Sequence, residues 1–107
     1  MTEEAMISSF MERAREDPRI GPLHISVYMA ILYCRAAQGF GDGVEVSARR
    51  LMPLAKIRGM GPYHRSIRQL HEYGYIQYEP SNDPRVWSRV RVGVVHKMCK
   101  SVSKSKG

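Results

Sequence analysis

From Leu23 to Ala37 the chain is apolar on nearly every side, a pattern that a solvent-facing helix does not carry. Gly21-Pro22 opens this stretch and Gly39 closes it, the residues that start and stop a helix. A chain of 107 residues has room for one core. The stretch is therefore expected to be a buried central helix round which the rest must pack. Its most apolar run, Leu23 to Cys34, contains His24 and Ser26 and is short of the roughly 20 residues that span a bilayer. The N-terminus, Met1-Thr2-Glu3-Glu4, is acidic and shows no signal-peptide pattern. Two cysteines, Cys34 and Cys99, are too few for a disulfide framework and read as free thiols. A cytoplasmic protein without a membrane partner is expected.

The segments before and after this helix have their own signals. Thr2 is placed to cap a first helix with Glu3 and Glu4 in its opening turn and Ile7, Phe10, Met11 and Ala14 as its stripe. Asp17-Pro18 ends it. Val44-Glu45-Val46 alternates as a very short strand, and Ser47 caps a third helix with Leu51, Leu54 and Ala55 inward. Pro53 in that helix costs about 3 kcal/mol in an interior position, so it predicts either a kink or a start nearer Met52. A tight turn over Ile57–Met60 uses Gly59 for a positive φ, with Gly61 and Pro62 opening a fourth helix that ends at Gly74. Tyr75–Glu79 and Val86–Val94 alternate as strands around a turn at Ser81–Pro84. In the second strand Val86, Val90, Val92 and Val94 face one way, and Trp87, Arg89 and Arg91 the other. The expected division is an N-terminal helix over 1–21 serving as a dimerisation arm, a domain over 22–95 and a basic flexible tail over 96–107.

Charge is distributed unevenly along these elements. The formal net charge is +7, which points to a polyanionic partner. Between Val46 and His71 lie Arg49, Arg50, Lys56, Arg58, Arg65 and Arg68 and no carboxylate. Beyond Pro84 the chain carries Arg85, Arg89, Arg91, Lys97, Lys100, Lys104 and Lys106, again with no acid. The first 17 residues, by contrast, are acidic on balance. A merely solvated surface interleaves the signs.

The order of elements is α-α-β-α-α-β-wing-β, mainly α with a small antiparallel β-hairpin. The string Tyr63-His64-Arg65-Ser66-Ile67-Arg68-Gln69-Leu70 running into Gly74-Tyr75-Ile76 resembles the helix-turn-helix and first wing strand of the winged helix-turn-helix superfamily. Through Glu79-Pro80-Ser81 and Ser88-Arg89-Val90 it is similar to small winged-helix proteins of bacterial conjugative and mobilisable elements. The resemblance covers roughly residues 22–93; Pro53 departs from it. It implies DNA binding, and it supports Arg65, where family members often carry a basic residue.

A helical wheel through the fourth helix puts Tyr63, Ile67 and Leu70 inward and Arg65, Arg68, Gln69 and Glu72 outward, with His64 and His71 on a flank. Arg reads guanine and Gln reads adenine in a major groove. His64, Arg65, Arg68 and Gln69 are the expected recognition set. Arg49 and Arg50 are expected on phosphates, Arg58 is placed with them, and Arg85, Arg89 and Arg91 belong to the wing, where arginine grips phosphate or enters the minor groove. Trp87 is expected to pack on a neighbouring segment rather than on a base. His96-Lys97-Met98-Cys99 lacks a second ligand pair for zinc, the glycine-rich loop at Gly39–Gly43 follows a helix and not a strand, and no nucleophile with its base is visible. No metal, cofactor or enzyme activity is therefore expected, and any small-molecule effector stays open. The leading expectation is a sequence-specific double-stranded DNA binder, a transcriptional regulator or excisionase-like factor, acting as a homodimer. The alternative is a winged-helix protein-interaction or replication-complex module without sequence readout.

Overall fold

Pro22 sits at the first position of α2 (Pro22–Ala37), where its missing N–H costs nothing, and the ring of His24 completes the cap. His24 Nδ1 accepts a 2.9 Å hydrogen bond from the Gly21 N–H. The computed structural model describes residues 2–39, 41, 43–81 and 87–92. It contains four helices and a three-stranded antiparallel sheet, in the order α1(Glu3–Ala14), α2, β1(Gly43–Val46), α3(Ala48–Ala55), α4(Met60–Glu72), β2(Ile76–Glu79), β3(Ser88–Val92). Arg85 and the rest of the expected hairpin tip, and residues 93–107 with the expected tail over 96–107, lie outside the described residues.

α2 packs against α3, α4 and β1. Val27, Tyr28, Ala30, Ile31, Leu32 and Cys34 are buried there. Full burial, however, is not what α2 shows: Leu23, Met29 and Tyr33 remain exposed. No helix among the described residues is long and apolar enough to cross a membrane.

α1 is capped by Thr2, whose Oγ1 accepts from the Ala5 N–H at 3.1 Å. It buries Met6, Phe10 and Ala14 in the same core as the other helices. The stripe is thus turned from the expected one, with Met6 inward, Ile7 half-buried and Met11 exposed. The Phe10 ring stacks on Tyr28 at 3.9 Å and 8° and meets the Tyr75 ring edge-on at 5.3 Å. Such pairs add about 0.5–1.5 kcal/mol each beyond burial.

Ser47 caps α3, its Oγ accepting from the Arg50 N–H at 3.3 Å, so the helix begins at Ala48 and keeps Pro53 inside. Leu51 and Ala55 are buried while Leu54 faces out. The turn to α4 departs from expectation in one respect. Lys56, not Gly59, takes the left-handed conformation, at φ 63°. The Ile57 N–H reaches back to the Met52 carbonyl and the Lys56 N–H to that of Pro53, which is a Schellman closure. Gly59 has φ −95° and precedes α4 as its cap. A Cβ there would stand 3.0 Å from Pro62 Cδ, so a side chain at 59 would press on the proline ring. α4 consequently starts at Met60, two residues before Pro62. Its end repeats the Schellman closure with Gly74 at φ 86°.

The sheet order is β1-β3-β2. Val44 opposes Val90, which opposes Tyr78, and Ile76 opposes Val92. These side chains face the helices, and Val44, Val90, Ile76 and Val92 are buried. The other face carries Glu45, Arg89 and Glu79 in one row across the strands, and Gly43, Arg91 and Gln77 in the next.

Candidate nucleic-acid interface

Tyr63, Ser66, Ile67 and Leu70 bury one side of α4. His64, Arg65, Arg68, His71 and Glu72 are exposed on the other. The inward place of Ser66 is not evident from apolar periodicity. Gln69, expected outward, is half-buried, and its Oε1 lies 2.8 Å from His24 Nε2. Since His24 Nδ1 accepts from Gly21, its Nε2 carries the hydrogen and donates to Gln69. Gln69 thereby fastens α4 to α2 and is drawn away from the outward face.

Arg49 and Arg50, in the first turn of α3, and Arg58, in the turn between α3 and α4, are all exposed. Arg49, Arg50, Arg58, Arg65 and Arg68 have no ion pair or hydrogen bond through their guanidinium groups among the described residues. Arg13, Arg15 and Arg19 are engaged. Arg13 donates to the carbonyls of Gly74 and Tyr73 and lies 4.2 Å over the Tyr75 ring. Arg15 is near Glu12 and Glu16. Arg19 forks onto Asp17 with two 2.8 Å bonds and covers the Tyr73 ring. The hydrogen bonds from Arg19, helped by one from the Tyr75 hydroxyl, hold the Asp17 carboxyl well below the usual range. Burial, and then Asp17 as acceptor, push the Tyr75 phenol up to about 12.

Arg89 and Arg91, expected in a wing, are placed differently from the α4 arginines. Arg89 lies on the sheet face turned from the helices, between Glu45 and Glu79 in register, with its guanidinium 3.9 Å from Glu45. Arg91 is half-buried on the same face, and its Nε is out of solvent with no hydrogen-bond partner among the described residues. The structure does not bring these two together with the α4 arginines.

It does bring together Arg49, His64 and Arg68, along a cleft between α4 and the sheet. Two adjoining hollows of about 450 and 560 Å³ share His64, Tyr78, Ser81 and Ser88. Arg49 and Trp87 line the first, Arg68 and His71 the second. Trp87 is the residue misplaced by strand alternation. It precedes β3, so the period of two does not govern it, and it lines the α4 side rather than joining Arg89. Burial raises the Tyr63 phenol far above its usual pKa, so this wall of the cleft stays uncharged. His71 Nδ1 accepts a 3.0 Å bond from the Tyr78 N–H, tying α4 to β2.

Comparison with models of known protein families, with curated proteins and with solved structures returned no match.

Proposed function

We propose that this chain is a winged helix-turn-helix protein that binds double-stranded DNA through α3, the turn and α4. The observation that carries this reading is the contrast among its arginines. Among the described residues Arg49, Arg50, Arg58, Arg65 and Arg68 stand exposed and without a carboxylate partner on consecutive elements, while Arg13, Arg15, Arg19 and Arg89 make contacts with other side chains or carbonyls of the fold. Unneutralised cations along the exposed face of a helix suit phosphates and base edges. In this reading α4 enters the major groove with Arg65 and Arg68 toward bases and His64 beside them. Arg49, Arg50 and Arg58 take phosphates on either side. Gln69 is omitted because His24 holds it, and Arg89 because Glu45 and Glu79 flank it. A regulator or excisionase-like factor of a mobile element is the role that the sequence resemblance supports.

Arg65→Ala and Arg68→Ala test the assignment. Each is expected to cost about 1–3 kcal/mol at the preferred site and to relax preference at one base position. Equal losses on preferred and random duplex would reduce both residues to phosphate contacts.

A second reading, an interaction module, draws on Leu23, Met29 and Tyr33, the large apolar side chains left exposed on α2. The same surface, with Met11 of α1, is what remains to support a homodimer. In the interaction reading duplex binding is absent and the arginine variants change nothing.

A further inference from the structure

Trp87 is the chain's single tryptophan and it is 46% exposed. It lines the cleft between α4 and the sheet. Trp87 lines the first hollow and Tyr78 both, and Arg49, His64 and Arg68 rim the cleft. Among the described residues no carboxylate lines either hollow. Each hollow, at about 450 and 560 Å³, is within the size range of small-molecule sites.

We infer that this cleft holds one unpaired nucleotide unit, its base stacked on Trp87 and its phosphate on Arg49 or Arg68. The chemistry is specific in two respects. A planar ring with a π-face matches an indole platform, a contact that tolerates any base. A phosphate matches guanidinium groups that have no carboxylate partner. A paired duplex does not offer this ligand, because neighbouring bases cover both faces of every internal base. The unit comes from a single-stranded or extrahelical nucleotide, or from a free mononucleotide. The inference deepens the nucleic-acid reading and rests on it for the strand as source.

Because Trp87 is the sole indole, its fluorescence reports on the cleft directly. The full chain is titrated with single-stranded oligothymidylate, with thymidine 5′-monophosphate and with a fully paired duplex, while anisotropy of labelled DNA measures duplex binding separately. Saturable quenching by the single strand, with little quenching at duplex saturation, is expected. Quenching by the mononucleotide too identifies a free nucleotide as a sufficient ligand; quenching by the oligonucleotide alone identifies the strand. Trp87→Ala is expected to weaken single-strand binding about 5- to 100-fold and Trp87→Phe to restore most of it, with unchanged melting and duplex affinity. Duplex binding with an unquenched Trp87 in both single-strand and mononucleotide arms overturns the inference and leaves the duplex reading standing. Equal quenching by paired duplex, or unaltered single-strand affinity of Trp87→Ala, also overturns it. Quenching by single strand without any duplex binding retains the inference and removes the duplex reading.

Discussion

Asp17 has a side chain only 12% exposed and accepts from Arg19 and Tyr75. These bonds stabilise its charged form, so its pKa in the folded chain lies below the ordinary 3.8. A group lowered on folding contributes stability that is complete above its unfolded value and lost as pH falls toward the folded one. The unfolding midpoint in denaturant is therefore expected to fall as pH drops below about 4. Asp17→Asn should lower the midpoint at neutral pH and flatten that decline; a decline of unchanged size in the variant would assign it to other carboxylates. Gln69 makes a different point. The helical wheel set it outward because 100° steps know nothing of a histidine on another helix. His24 donates to it from α2, and Gln69→Ala is expected to cost about 1 kcal/mol of stability while leaving duplex affinity unchanged. If it reduced base preference and not melting temperature, Gln69 would return to the recognition set. The inward and outward sides of Tyr63, Ile67, Arg65 and Arg68 were legible from spacing alone, since their placement depends on periodicity and not on a distant partner.

Element ends show the same division between local and tertiary causes. Ser47, Thr2, Pro22 and Gly74 act at the positions that their chemistry marks in the sequence, because capping is settled within one turn. The turn between α3 and α4 was less legible. Two glycines and a proline suggested a positive φ at Gly59, yet Gly59 serves to clear the Pro62 ring and Lys56 takes the left-handed place. Lysine in that region costs roughly 1–2 kcal/mol, part of which glycine would return to the unfolded chain as entropy. Lys56→Gly is thus expected to raise stability by about 0.5–1 kcal/mol in chemical denaturation. A loss would mean that the lysine side chain makes a compensating contact. Trp87 escaped the sequence reading for a related reason: alternation extends only through paired residues, and pairing begins at Ser88.

At the scale of the whole molecule, charge is segregated. α1 carries exposed Glu4 and Glu12, with exposed Glu16 just beyond its end, and the arginines unpartnered among the described residues occupy α3, the turn and α4. α1, expected to serve as a dimerisation arm, buries Met6, Phe10 and Ala14 within its own chain. Light scattering at tens of micromolar, with and without DNA, decides whether Met11, Leu23, Met29 and Tyr33 join two copies; a monomer in both states excludes it. The tail adds Lys97, Lys100, Lys104 and Lys106, and truncation after Val95 should flatten the salt dependence of duplex binding by about 1–3 log–log units without altering site preference. The claim on which the proposed function depends is that five arginines, unpartnered among the described residues, neutralise phosphates or reach bases on a duplex. Anisotropy of a labelled random duplex, titrated with the protein from about 50 to 200 mM salt, measures it most directly. Each neutralised phosphate contributes about 0.9 to the slope of log affinity against log salt, so a steep negative slope is expected, shallower by about 2 units in the Arg49→Ala/Arg50→Ala double variant. Absence of duplex binding at the lowest salt, or binding with a flat slope, would contradict the account.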